Sequence, residues 1–137
     1  MNDLDLLIQL HITQDRQGPG SEQDTMLAAK LAGLDSKQDL KIADIGCGTG
    51  TASLDLAKNL NCEVTSVDFL PEFIEKLTSR ATEANVSDKI TPVVGDMSDL
   101  PLRNRALTCF GLRVRFTISA LKPVFVTGVN ILSREVR

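Results

Sequence analysis

Residues 44–50 read Asp-Ile-Gly-Cys-Gly-Thr-Gly, set between an apolar run, Leu40-Lys41-Ile42-Ala43, and a helix-like pattern. A strand that ends in alternating glycines and then opens a helix confines the chain to a tight strand–turn–helix unit. Such a unit suits a nucleotide-like ligand. Glycine has no Cβ, so it takes turn geometries closed to other residues and lets a ligand approach the backbone. The N–H groups at the helix start favour polar or anionic ligand atoms. Spacing then selects among ligands. Dinucleotide sites place glycines as G-x-G-x-x-G. Here Gly46, Gly48 and Gly50 alternate, and Thr51 holds the position of the third dinucleotide glycine. The plainer reading is a tight turn with no ligand.

The partner of such a loop is an acid at the end of the next strand, where it can accept both hydroxyls of a ribose. Cys62-Glu63-Val64-Thr65-Ser66-Val67 reads as a short buried strand and Asp68 follows it, 22 residues after Gly46. Asp68 also suits a helix N-cap, and both roles stay open. Ile90-Thr91-Pro92-Val93-Val94 is a third strand candidate, followed by Gly95-Asp96-Met97. Proline cannot donate to a sheet ladder, so Pro92 places this strand at an edge or a strand start. Asp96 and Met97 also fit a turn acid and a core methionine.

Helical patterns fill the gaps. Residues 1–12 read as a short amphipathic helix, followed by the loop Arg16-Gln17-Gly18-Pro19-Gly20. Ser21 with Asp24 makes a capping-box-like start. Leu27, Ala28 and Leu31 give that helix its apolar face, and Gly33 can end it. After Gly50 come Leu54, Leu56, Ala57 and Leu60, with Asn61 as a stop. Pro71 then opens a helix striped by Phe73, Ile74, Leu77, Ala81 and Ala84. The strand–helix alternation predicts an α/β fold with parallel strands near 40–45, 62–67 and 90–94. Length predicts one small domain. No apolar run is long enough to span a bilayer. Cys47, Cys62 and Cys109 lack the spacing of a zinc site or a disulfide framework, which suggests a reducing, cytoplasmic setting. His11, the one histidine, reads as a surface or packing residue.

The G-x-G-x-G form led by Asp44 resembles motif I of class I S-adenosylmethionine-dependent methyltransferases. The resemblance covers about three quarters of the chain. It implies a Rossmann-like doubly wound parallel sheet, truncated to the first half of that fold. It implies S-adenosyl-L-methionine as cofactor, held by Asp44, Gly46, Cys47, Gly48, Thr49, Gly50, Asp68, Phe69, Asp96 and Met97. In that family the acid after the third strand faces the adenine amine and an apolar neighbour packs on the ring, the positions of Asp96 and Met97. The first strand would be central and the third an edge. The N-terminal loop and helix resemble a cover that closes over the cofactor, with Arg16 and Gln17 within reach of the substrate or the methionine end. A solvated loop is the plainer alternative. The implied substrate is a small molecule, with no nucleic acid or membrane partner; the oligomeric state is open. No general base and no metal ligand can be named. The rival functions are a non-catalytic cofactor-binding fragment and a nicotinamide-dependent oxidoreductase, the latter disfavoured by Thr51 and the alternating glycines.

Three segments emerge: 1–36, the N-terminal helices and covering loop; 37–102, the cofactor-binding half-sheet; and 103–137, an atypical basic tail. Residues 1–102 hold 17 Asp/Glu and 8 Lys/Arg, a net of −9, and residues 103–137 hold 7 Lys/Arg and 1 Glu, a net of +6, which leaves the chain at −3. The resembled family places an acid-led fourth strand and a Lys-Pro-Gly-Gly turn here, and neither is present as written. A shifted reading frame supplies them. Joining the third base of each codon to the first two of the next, Phe110–Gly111 gives only Trp or Arg, and Phe116–Thr117 only Tyr or His. Residues 107–121 can then read Asp-Leu-Phe-Trp-Ala-Glu-Gly-Ser-Ile-Tyr-Asn-Ile-Gly-Phe. The tail is accordingly expected to be out of frame, poorly ordered and without the fourth strand. An RNA-binding arm is a rival, weakened by the lack of a stacking motif, and a genuine strand pair is another.

Overall fold

The structure, a computed structural model, describes residues 2–16, 20–96 and 107–110, the last four by their backbone. Within them the chain runs α1 (Asp3–Ile12), α2 (Glu22–Leu31), β1 (Leu40–Ile45), α3 (Thr51–Asn59), β2 (Cys62–Asp68), α4 (Pro71–Glu83), β3 (Ile90–Val94) and β4 (Leu107–Phe110). The strands form one parallel sheet in the order β3-β2-β1-β4. Ile42 stands opposite Val64 on one side and Thr108 on the other, and Val64 stands opposite Ile90. Strands are added outward from β1 to β3, then the chain returns to the far side of β1. That reversal is the signature of the doubly wound, Rossmann-like sheet, and it creates a switch point beside the carboxyl end of β1. Pro92 lies on the edge strand β3, where its missing N–H costs no ladder bond.

β4 corrects an expectation. No fourth strand was expected from residues 107–110 as written, yet they pair with β1 along its length. The acidic lead of the resembled pattern is not needed to make a strand. A short β-prone segment, Leu-Thr-Cys-Phe, suffices to satisfy the open edge of β1.

The hydrophobic core lies on one face of the sheet. Leu40, Ile42, Cys62, Val64 and Ile90 meet Leu54, Leu56, Ala57 and Leu60 from the α3 side and Ile74, Leu77 and Ala81 from α4. Leu56 and Leu77 are fully buried, each worth roughly 1.5–3 kcal/mol relative to exposure. The helix ends are closed as their sequences dictate. Ser21 caps α2 through the Asp24 N–H. Beyond Ala32, Gly33 at φ 70° lets Leu34 N–H reach the Ala29 carbonyl at 2.9 Å, a Schellman closure. Asn85 plays the same part after α4, with Val86 N–H on the Ala81 carbonyl at 3.0 Å.

The apolar face of α2 differs from the expected one. Thr25 and Ala29 face the core, with Met26, Ala28 and Ala32 packed against it, while Leu27 is 55% and Leu31 80% exposed. The cause is close approach. α2 lies against α3, and the fully buried Ala29 leaves room for it where a leucine would not. Asn59 on α3 fixes the rotation by donating to the Glu22 carboxylate at 2.9 Å.

Candidate functional site

The candidate site forms at the carboxyl edge of β1 and β2. Its floor is the loop between β1 and α3. Gly46 N–H and Cys47 N–H both donate to the Val67 carbonyl, at 2.7 and 3.0 Å, so the loop is stitched to the end of β2 as it leaves the sheet. Gly50 then turns into α3 at φ 86°. Only glycine fits there: an added Cβ would come within 2.0 Å of Leu77 Cδ1. Gly50 is also the N-cap of α3 and offers no side-chain acceptor. The first-turn N–H groups of α3 therefore open toward the loop without a side-chain cap from Gly50, a suitable seat for a polar ligand group.

Asp68, at the end of β2, is buried and spans two loops. One carboxylate oxygen accepts from Gly48 N–H at 2.9 Å and the other from Leu70 N–H at 3.1 Å. The helix-cap role that the sequence offered is not taken: the N-cap of α4 is Leu70, without a side-chain cap bond, and Asp68 accepts the Leu70 N–H from two residues before it. It holds the turn into α4, and it brings a carboxylate to the glycine loop. The next residue, Phe69, is 52% exposed. Gly95 N–H donates to the Asp68 carbonyl at 2.9 Å, which brings the exposed Asp96 to the same edge. Met97 lies outside the described residues.

Asp44 is placed differently from a ligand-facing acid. It is 4% exposed and accepts from Ser53 Oγ at 2.7 Å; Ser53 Oγ lies 2.6 Å from Ser66 Oγ. One carboxylate and two buried hydroxyls therefore lock β1, α3 and β2 together beneath the loop. Cys47, half-buried in the loop, is no ready nucleophile. Burial first, then the neighbouring Asp44 and Asp68 carboxylates, push its thiol far above the ordinary range. Burial raises Cys62 as well. His11 is a packing residue, with Nδ1 2.8 Å from the Leu7 carbonyl one turn back.

The segment after α1 is tied to the helices at Asp15 and Arg16. Arg16 pairs with Asp55 of α3 at 2.8 Å. Burial raises the Asp55 carboxyl above its usual value, against the opposing pull of Arg16. Arg16 is thereby committed to α3, which departs both from the solvated loop that the sequence favoured and from the alternative reach toward a substrate. Gln17 lies outside the described residues. Arg80 of α4 reaches the same corner, donating to the carbonyls of Asp15 and Thr49 and to the hydroxyls of Thr49 and Thr51. Ser53, Ser66, Asp55 and Arg80 carry no motif signal. Pairings across 9 to 65 positions of chain are visible only once the fold is built.

Residues 42–129 match the family model described as a methyltransferase domain. The chain belongs to this methyltransferase-domain family. The matched range runs past residue 102 into the basic segment. Among curated relatives, a carboxy-S-adenosyl-L-methionine synthase of Citrobacter koseri is 25% identical over 112 residues, covering 80% of this chain and 44% of its own length. Among solved structures, an S-adenosylmethionine-dependent methyltransferase from Geobacter sulfurreducens in complex with S-adenosyl-L-homocysteine superposes with a TM-score of 0.67 at 20% identity, over 77% of this chain and 42% of the other. One from Thiobacillus denitrificans, also in complex with S-adenosyl-L-homocysteine, gives 0.67 at 17% identity, over 80% and 44%. The methyltransferase-domain chain thus spans less than half the length of these three proteins.

Proposed function

We propose that this chain carries the S-adenosyl-L-methionine-binding part of a methyltransferase acting on a small molecule. The observation that carries it is the Asp68 carboxylate joined to Gly48 N–H at the switch point of the sheet. A carboxylate there can take the ribose hydroxyls, while the first turn of α3 takes a polar group of the methionine end. Gly46, Cys47, Gly48, Thr49 and Gly50 are the cofactor loop, with Asp44 holding it from beneath. Phe69 and Asp96 are the adenine side, joined by Met97. The cofactor supplies an activated methyl on sulfur. The protein's part is to bind, orient and bring the acceptor close. The names of the two solved neighbours, both complexed with S-adenosyl-L-homocysteine, support this cofactor class, as does the relative named for a carboxylated S-adenosylmethionine. That last name favours one second reading: chemistry on the sulfonium cofactor itself rather than methyl transfer to an acceptor.

Calorimetric titration with S-adenosyl-L-homocysteine and with NAD separates this reading from a dinucleotide site. The expected result is binding of the former alone, weakened by Asp68→Ala. Loss of hydrogen bonds to a charged acceptor costs about 1.5–3 kcal/mol, or about tenfold or more in affinity. Binding of NAD alone would reject the cofactor assignment. Residues 103–137 enter the proposal as an out-of-frame continuation. The charge reversal and the codon arithmetic support it; the strand at 107–110 and the family match as far as residue 129, both in the frame as written, count against it. Coding DNA whose alternative frames hold no family continuation would overturn that part.

A further inference from the structure

We infer that Arg80, on α4 and absent from the glycine motif, is a positioning residue that makes the cofactor loop and the N-terminal cover one mechanical unit. The inference rests on the cofactor reading above. Arg80 is half-buried, and its Nη1 has four acceptors within hydrogen-bond distance. They are the Asp15 carbonyl at 2.9 Å, the Thr49 carbonyl at 3.0 Å, Thr51 Oγ1 at 3.0 Å and Thr49 Oγ1 at 3.2 Å. Two of these residues bracket Gly50, where the chain turns into α3. The third belongs to the segment after α1. The Asp15 carbonyl also accepts from Thr51 Oγ1, and from Thr49 Oγ1 at 3.5 Å. Thr49 is fully buried, so its carbonyl needs a protein partner, and Arg80 supplies one. One residue further along the cover, the Arg16–Asp55 pair makes a second tie to α3.

The consequence is coupling. The backbone at Thr49 shapes the turn that a cofactor would meet, and the guanidinium that holds it also holds Asp15. Loosening the cover therefore loosens the turn, and ordering the turn draws the cover in. All four acceptors meet one nitrogen with two hydrogens, so they share its donors, and a lysine ammonium could replace part of that contact.

Two readouts test it on the 137-residue chain. Trypsin can cut after Arg16, and mass spectrometry follows release of the fragment 1–16. Calorimetry follows S-adenosyl-L-homocysteine. Arg80→Met keeps an apolar stem and removes the donors. It is expected to speed release of 1–16 and to weaken S-adenosyl-L-homocysteine about tenfold, the worth of one charged hydrogen bond at the low end of its range. Arg80→Lys should fall between it and the parent. Should Arg80→Met fail to fold, Thr51→Val removes a hydroxyl shared by Arg80 and Asp15 and is expected to act in the same direction. Unchanged release of 1–16 overturns the clamp. Faster release with unchanged affinity overturns the coupling. If the parent binds no S-adenosyl-L-homocysteine, the cofactor reading fails, and the release rates alone decide the clamp.

Discussion

Gly50 shows how a single residue carries fold and site together. Its φ of 86° is closed to most side chains, and Leu77 of α4 occupies the place where a Cβ would go. Gly50→Ala is expected to cost about 3 kcal/mol, from backbone strain and overpacking together. Urea unfolding measures it. Leu77→Ala alone leaves a cavity and costs about 2–5 kcal/mol. In the double variant the two costs should add to less than their sum, because the shortened side chain makes room for the new methyl. Strict additivity would mean that the strain is backbone alone. This glycine was legible in the sequence through its spacing, and so was Asp68 through its distance from the loop. The partners of Asp44 were not legible. Ser53 and Ser66 look like unremarkable polar residues until a parallel sheet places them beside one carboxylate.

At the scale of elements, the strands were the most legible part. Cys62–Asp68 and Ile90–Val94 are short runs with Val, Ile and Thr, bounded by turn residues, a composition that favours strands. α2 was misread because periodicity counts apolar residues and not their size. The helix turns its small side chains inward, and its leucines stay outside. Two substitutions check that orientation. Ala29→Leu is expected to destabilise by about 1–3 kcal/mol through overpacking against α3. Leu31→Lys, at an 80% exposed position, should fall within about 0.5 kcal/mol of the parent. Thermal or urea unfolding of both variants reads the difference. The reverse order would restore the leucine-inward helix. β4 was missed for a related reason: the family pattern led the reading to look for an acid, whereas strand formation required only an open edge on β1 and four β-prone residues.

Over the whole molecule, the described residues place the Gly46–Gly50 loop, Asp68 and Asp96 at one end of one sheet, at the point where strand order reverses. No helix among them is long and apolar enough to cross a membrane, and no group of His, Cys, Asp or Glu among them is arranged to hold a metal. The charge map adds a second division, with a net of −9 over residues 1–102 against +6 over residues 103–137. Sequence could locate that break because composition is additive along a chain. It could not show that a strand forms beyond it, since pairing depends on a distant edge. The central claim, that Asp68 and the Gly46–Gly50 loop hold the two ends of one sulfonium cofactor, is tested most directly by a crystal structure with S-adenosyl-L-homocysteine bound. The account predicts ribose hydroxyls about 2.5–3.0 Å from the Asp68 carboxylate, with the homocysteine end against the loop and the first turn of α3. A ligand seated at any other edge of the sheet, or a ribose held by a different acid with Asp68 bound only to Gly48 and Leu70, would contradict it.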